Sequence, residues 1–212
     1  MAIEAGLRER KKTRTRLDIV RAATRLFVTK GFDAATIDDI ADAAEVSRST
    51  LFRYFGNKEA IVFPHQDERL GLFARIMSEP LAGESTFATL RRGLLHLAEV
   101  YYAAREELSI QQTIVASSPH LTARELVFYD AWERAIRAAL VDPCAGSAEQ
   151  ASRAKLASSA IFAVVRTVLR EWLQGGCRED LVEKSTRALE LMQEGLKGLA
   201  PFLLHARQGG TS

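Results

Sequence analysis

Apolar residues recur at steps of three and four along nearly the whole chain, and period-two alternation is almost absent. That spacing puts one apolar stripe on each of a series of α-helices and leaves nothing that reads as a strand. The first helix is predicted over 12–30, with Leu17, Val20, Ala23 and Phe27 as its stripe, Ile19 and Leu26 beside them, and Gly31 as a left-handed stop. Thr36 and Asp39 form a capping-box pair that opens a short helix ending near Ala44, with Ile37, Ile40 and Ala41 inward. Ser47 caps a second short helix ending near Tyr54, and Asn57 caps the next from Lys58. Pro64 lies inside that last segment and predicts a break near Phe63, with a helix resuming over 66–78. Longer helices follow over 85–105, 106–117, 119–141, 148–174 and 179–199, opened by Ser85, Glu106–Glu107, Ser118–Pro119, Ser147 and Asp180. Gly175–Gly176 closes the fourth of these, Pro201 follows the fifth, and 208–212 read as a disordered tail. The fold class is all-α.

Composition narrows the picture. A chain of 212 residues with 47% hydrophobic content has enough apolar side chain for one large or two small packed units. No apolar run approaches the roughly 18 residues of a membrane span, and the N-terminus carries no secretory h-region. Cys144 and Cys177 are too few for a disulfide framework, and no Cys/His spacing suggests a metal. The expectation is a soluble, cytoplasmic protein with no cofactor, metal or membrane partner.

The net charge of +2 hides an asymmetry. Residues 1–58 carry 12 Lys/Arg against 8 Asp/Glu, and 59–212 carry 17 against 19. Between Arg8 and Arg16 there are six basic residues and one acid. One end of the chain suits a polyanion and the remainder does not. Within that end, Thr36 to Phe55 has the size of a helix-turn-helix, with the small Ala41 where two short helices cross. The second of these reads Ser47-Arg48-Ser49-Thr50-Leu51-Phe52-Arg53-Tyr54, dense in hydrogen-bond donors on one side and anchored by Leu51 and Phe55 on the other. Hydroxyls and backbone N–H groups hold phosphates, and an arginine can fork onto guanine O6/N7.

These residues resemble the tetracycline-repressor (TetR) family of bacterial transcriptional regulators. The likeness covers Arg16 to about Phe63: Ile19-Val20-x-Ala22-Ala23-x-x-Leu26-Phe27, Gly31-Phe32, Thr36-Ile37-x-x-Ile40-Ala41, Val46-Ser47-x-x-Thr50-Leu51-Phe52-x-Tyr54-Phe55 and Lys58-Glu59. It implies a homodimer that binds an inverted-repeat DNA operator and is released by a small molecule. Arg48, Ser49 and Arg53 are the candidates for base edges. Thr36, Thr50, Tyr54 and Lys58 are candidates for phosphates, by resemblance and because helix N-termini favour anions. Ser47 is either a cap or a phosphate contact. The basic run Arg8–Arg16 reads as a flexible arm entering the minor groove or lying along the backbone. The chain departs from the family at two points. Glu45 stands where the turn usually has Gly, which either holds a strained positive φ or rearranges the turn. Phe52 stands where Tyr is common, trading a phosphate hydrogen bond for a face toward a thymine methyl.

Residues 1–58 are thus assigned to a DNA-binding domain of three helices, and 59–207 to a larger helical ligand-binding and dimerisation domain. The resemblance implies dimerisation through the last two helices, whose stripes include Leu181, Leu189, Met192, Leu196 and Leu199. Phe73, Met77, Leu97, Tyr101, Ile114, Phe128, Trp132 and Phe162 are the pocket candidates, with Leu94 among them. Arg166 interrupts an apolar run and is expected to be at least partly buried, against Glu99, Glu133 or an anionic ligand. His96 reads as core or interface, and Cys177 as a free structural thiol. The implied inducer is hydrophobic, in one version anionic, such as a fatty-acid derivative or acyl-CoA, with an aromatic drug-like compound as the runner-up. No Gly-rich phosphate loop, metal pair or nucleophile motif supports an enzyme. A ligand-independent DNA-binding dimer and a transcriptional activator are the alternatives.

Overall fold

The computed structural model describes residues 2–140 and 148–204, with side chains described over 6–140, 148–149 and 151–195. Every regular element among the described residues is an α-helix: α1 Ala2–Lys30, α2 Ile37–Ala43, α3 Arg48–Phe55, α4 Lys58–Val62, α5 Gln66–Ser78, α6 Thr86–Ala103, α7 Arg105–Ala116, α8 Pro119–Leu140, α9 Ala148–Gln174 and α10 Leu181–Leu204. Ser147, Cys144, the expected tail 208–212 and the side chains of Leu196 and Leu199 lie outside what is described.

Local signals set most helix starts. Thr36 Oγ1 accepts the Asp39 N–H at 3.0 Å while the Asp39 carboxylate accepts the Thr36 N–H at 3.0 Å, a complete capping box. Ser47 and Asn57 cap α3 and α4 by accepting the N–H of Thr50 and Ala60. Ser85 does the same for α6 through Ala88, and Asp180 Oδ1 accepts from Val182 and Glu183 at the start of α10. Gly31, at φ +86°, ends α1 in the left-handed region that a Cβ disfavours. The break predicted at Pro64 is present, since α4 stops at Val62 and α5 begins at Gln66.

Three expectations need correction. The first helix begins at Ala2 rather than near 12, so the run Arg8–Arg16 is helical and not a flexible arm. Ala, Leu, Glu, Arg and Lys dominate that stretch and are strong helix formers, and Glu9 lies 3.7 Å from Lys12 one turn on. Leu17 is 39% exposed, because the buried stripe is Ile19, Ala22, Ala23 and Phe27, on the other side of the helix. Finally, α10 continues through Pro201 to Leu204, although a proline inside a helix removes one backbone hydrogen bond.

The described residues fall into two compact units, one from 2–69 with 106–129 and the other from 70–105 with 130–204. In the first unit α1 packs on α2 and α4. Ile19, Phe27, Ile40, Leu51, Phe55 and Ile61 form its centre. Ile114, Val115 and Leu121 from α7 and α8 join the same cluster, and the Phe63 and Phe128 rings meet at 4.9 Å. In the second unit α10 packs on α6 and α9. Phe73 meets Trp132 edge-on at 5.8 Å, and a Cβ on Gly93 would sit 3.3 Å from the Phe73 ring, so α5 and α6 approach closely only with glycine there. Trp172 is buried and donates its indole N–H to the Glu179 carbonyl at 2.8 Å, closing the α9–α10 turn.

Candidate nucleic-acid interface and effector surface

The α2–α3 turn decides how α3 is presented. Glu45 has φ +54°, so the turn keeps the left-handed residue that glycine usually supplies, at about 1 kcal/mol relative to Gly. The Val46 N–H returns to the Ala41 carbonyl at 3.0 Å, fixing the turn without rearrangement. Leu51 and Phe55 then point into the core at 0% and 7% exposure. With the anchors one turn apart, the opposite side of α3 must face solvent.

Arg48, Ser49, Phe52 and Arg53 are all exposed on that side. The Arg48 guanidinium lies 3.3 Å from both Asp38 carboxylate oxygens and 5.7 Å over the Phe52 ring. Exposed pairs of this kind contribute only about 0–1 kcal/mol, so Arg48 is steered rather than locked. Arg53 sits 5.6 Å from the Tyr54 ring centre. Ser47 Oγ lies 2.9 Å from both Ser49 Oγ and Thr50 Oγ1, forming a small hydroxyl cluster at the helix start. Tyr54 is half-buried against the core.

Lys58 is placed differently from its neighbours. Its ammonium donates to the Phe32 and Ala35 carbonyls at 2.7 and 3.0 Å and rests 4.2 Å from the Phe32 ring. It braces the α1–α2 loop, and any phosphate contact shares a group already twice engaged. Two further residues take roles that the sequence alone does not give them. Asp38 holds Arg48, and Arg16 donates to the Pro64 carbonyl, lies 3.3 Å from Glu68 and covers the Phe55 ring at 5.1 Å. An acid on α2 within reach of α3 was a readable signal for the first; the second depends on tertiary contact. In this unit Thr36 first donates its backbone N–H to Asp39, then Lys30 adds a hydrogen bond, and together they hold that carboxyl at about 2. Burial raises the pKa of Glu59, but its own backbone N–H and His120 outweigh that and leave it lowered.

The nine predicted ligand residues do not form one group. Phe73, Met77, Leu97, Tyr101, Trp132 and Phe162 belong to the second unit, where Phe73 and Trp132 touch. Ile114 and Phe128 belong to the core of the first unit. Arg166 is exposed, contrary to its expected burial. Its apolar chain neighbours lie about 100° away around the helix and say nothing of its own direction. Glu133 instead accepts from Ser159 and Glu99 pairs with His96, which is itself exposed rather than core. The buried arginine is Arg69, 7% exposed and one turn before Phe73 on α5.

A surface groove of about 600 Å³ opens in the second unit among Ile76, Ala88, Arg91, Leu95, His96 and Glu99, with Glu84 and Arg92 at one end, and none of the predicted ligand residues lines it. Arg92 donates through Nε and Nη2 to the Glu84 carboxylate, which also accepts the Leu81 N–H and the Thr89 hydroxyl. Hydrogen bonds from Arg92, then from Leu81, hold the Glu84 carboxyl at about 2. Cys177 is a buried free thiol whose pKa burial raises. Among the described residues there is no cluster of three or more His, Cys, Asp or Glu groups placed to hold a metal, and no helix is long and apolar enough to cross a membrane.

Residues 19–63 match the family described as bacterial regulatory proteins, tetR family, and residues 84–197, more than half of the chain, match the MftR C-terminal domain of the TetR group. The transcriptional regulator TcmR of Streptomyces glaucescens is 45% identical over 56 residues, about a quarter of either chain (26% of this one, 25% of that one). The fatty acid metabolism regulator protein of Bacillus subtilis is 22% identical over 183 residues, covering 85% of this chain and 94% of its own. The transcriptional repressor AcnR of Corynebacterium jeikeium is 28% identical over 202 residues, covering 92% and 83%. Among solved structures, FadR of Bacillus subtilis in complex with stearoyl-CoA superposes with TM-score 0.56 at 20% identity, covering 82% of this chain and 96% of that one. The SmeT–triclosan complex superposes with TM-score 0.60 at 19% identity, covering 85% and 90%. With its reading helix, capped turns and all-helical second unit, the chain belongs to the TetR family of bacterial transcriptional regulators.

Proposed function

We propose that the protein is a ligand-responsive repressor that binds an inverted-repeat operator as a homodimer and leaves it when a hydrophobic small molecule occupies the second unit. The observation that carries this reading is the outward side of α3, where Arg48, Ser49, Phe52 and Arg53 stand exposed on a helix anchored by Leu51 and Phe55. Two such helices about 34 Å apart fit successive major grooves, which requires a dimer. Leu156 on α9 and Leu191 on α10, 71% and 60% exposed, support a seam through the last two helices. Apolar contact between Phe73 and Trp132 supports a hydrophobic ligand. The complexes of relatives with stearoyl-CoA and triclosan span the two ligand classes, a fatty-acid derivative and an aromatic compound. The ligand must favour the DNA-incompetent state by a coupling of about 1–3 kcal/mol. The α4–α5 break at Pro64 is the hinge in this reading, and a Pro64→Ala chain with unaltered DNA affinity and induction removes it.

The test is selection of bound duplexes from a random pool, repeated with Arg48→Ala and Arg53→Ala. Each variant should lose preference at one defined base position, by about 1–3 kcal/mol. Uniform weakening across all sequences overturns the base-reading roles. If acyl-CoA and aromatic compounds all fail to release the selected duplex, the ligand-independent dimer is the correct reading. Increased transcription from a promoter carrying that duplex identifies an activator.

A further inference from the structure

Residues 6–14 of α1 are exposed without exception, so this stretch of helix packs on nothing among the described residues. It is polar apart from Leu7, itself 68% exposed, so no apolar stripe holds it to the core and its charged sides are open to a partner. Arg8 and Lys12 precede Ile19 by eleven and seven residues, within about 20° of whole turns, and Lys11, eight residues before it, lies about 80° to one side. Arg8 and Lys12 therefore continue the side of α1 that, further on, buries Ile19 and Ala23 against the first unit, with Lys11 at its margin. Where the protein body ends, that side becomes basic. The change occurs at Arg16, held over the Phe55 ring at 5.1 Å, so the extension leaves the body beside the C-terminal end of α3.

A helix about 10–12 Å across does not enter a minor groove about 6 Å wide, which removes the threaded-arm alternative. We propose that this extension is a stiff basic rail lying along the phosphate backbone outside the base pairs that α3 reads, with Arg8, Lys11 and Lys12 touching the phosphates. The proposal rests on the reading of α3 as the DNA-reading helix. Residues 2–15 add about 21 Å at 1.5 Å per residue, the length of about six base pairs. Phosphate contact carries no sequence information, so the rail lengthens the footprint and leaves the read sequence unchanged.

The experiment measures affinity of the full chain for a duplex recovered by selection, set in unrelated flanks of increasing length. Affinity should climb at least tenfold as the flanks reach about six base pairs a side, then level off. The triple variant R8Q/K11Q/K12Q should show no flank dependence, and its salt slope should fall by about 0.9 for each phosphate no longer neutralised. R10Q/R14Q, on the other side of the helix, should keep the flank gain. T13P keeps every charge but breaks the helix and should lose the gain. The rail is overturned by a flat response in the unmodified chain, by equal losses in R10Q/R14Q and the triple variant, or by T13P behaving as the unmodified chain. Absence of sequence-selective binding to the bare repeat overturns the α3 reading and the rail together.

Discussion

The two compact units handle their polar and apolar groups in different ways. In the first, three successive short helices each open on a side chain that accepts an N–H three residues on: Thr36, Ser47 and Asn57. Its core is closed by residues of α1 to α4 with α7 and α8, and the exposed groups on α3 are mostly polar. In the second, long helices carry a salt-bridged end of a groove and leave Leu156 and Leu191 in solvent. A reading head must hold its geometry before its target arrives, so its constraints are internal. In the proposed reading the second unit senses and pairs, and its exposed leucines are surface for a partner copy to cover.

The sharpest way to break this contrast is Leu51→Ala. Leu51 is 0% exposed, and its truncation should cost about 2–5 kcal/mol, seen as lost hydrogen-exchange protection in α1 to α4 with α6 and α9 still protected. Equal loss in both units would show that they do not differ in where their stability lies. Next, Leu156→Glu with Leu191→Glu should give monomers in sedimentation with unchanged helical content. Operator affinity should fall about 100-fold, roughly 2.7 kcal/mol. A dimer surviving both charges places the seam elsewhere.

A smaller effect concerns acid. Asp39 in the first unit and Glu84 in the second are held at about 2, below ordinary values of 3.8 and 4.5. Lowered carboxyls contribute stability that is fully present above the ordinary pKa and is lost as pH falls through the folded value. Asp39→Asn should flatten the acid limb of the first unit between about pH 4 and 2, and Glu84→Gln that of the second, in denaturation followed by exchange. The smallest change is a gain. Glu45→Gly relieves the positive φ and should raise stability by roughly 0.5–1 kcal/mol in a thermal melt, leaving α3's preferred duplex unchanged.

The sequence was most legible where one turn of backbone decides the outcome. Thr36–Asp39, Ser47, Asn57, Gly31 and the break at Pro64 all depend on partners within a few residues, and each lies where the local sequence puts it. Periodicity also marked Ile114 and Phe128 as inward, but inward on a helix does not say toward which interior; both serve the first unit's core rather than a pocket. Lys58 reads as a phosphate ligand because its two carbonyl partners, at Phe32 and Ala35, are more than twenty residues away along the chain. The exposure of Arg166 and the burial of Arg69 are illegible for a related reason: neighbours in sequence do not report the direction of a helical side chain. The helical course of Arg8–Arg16 was readable from propensity, and its charge obscured that signal.

Trp132 and Trp172 are the chain's two tryptophans, and both lie in the second unit. One touches Phe73 edge-on, and the other is sealed in the core beneath the α9–α10 turn. Tryptophan fluorescence is therefore blind to the reading head and divided between two depths of the second unit. In the proposed reading, a molecule entering beside Phe73 would quench or shift the first emitter and leave the second as an internal reference, an optical assay for the effector.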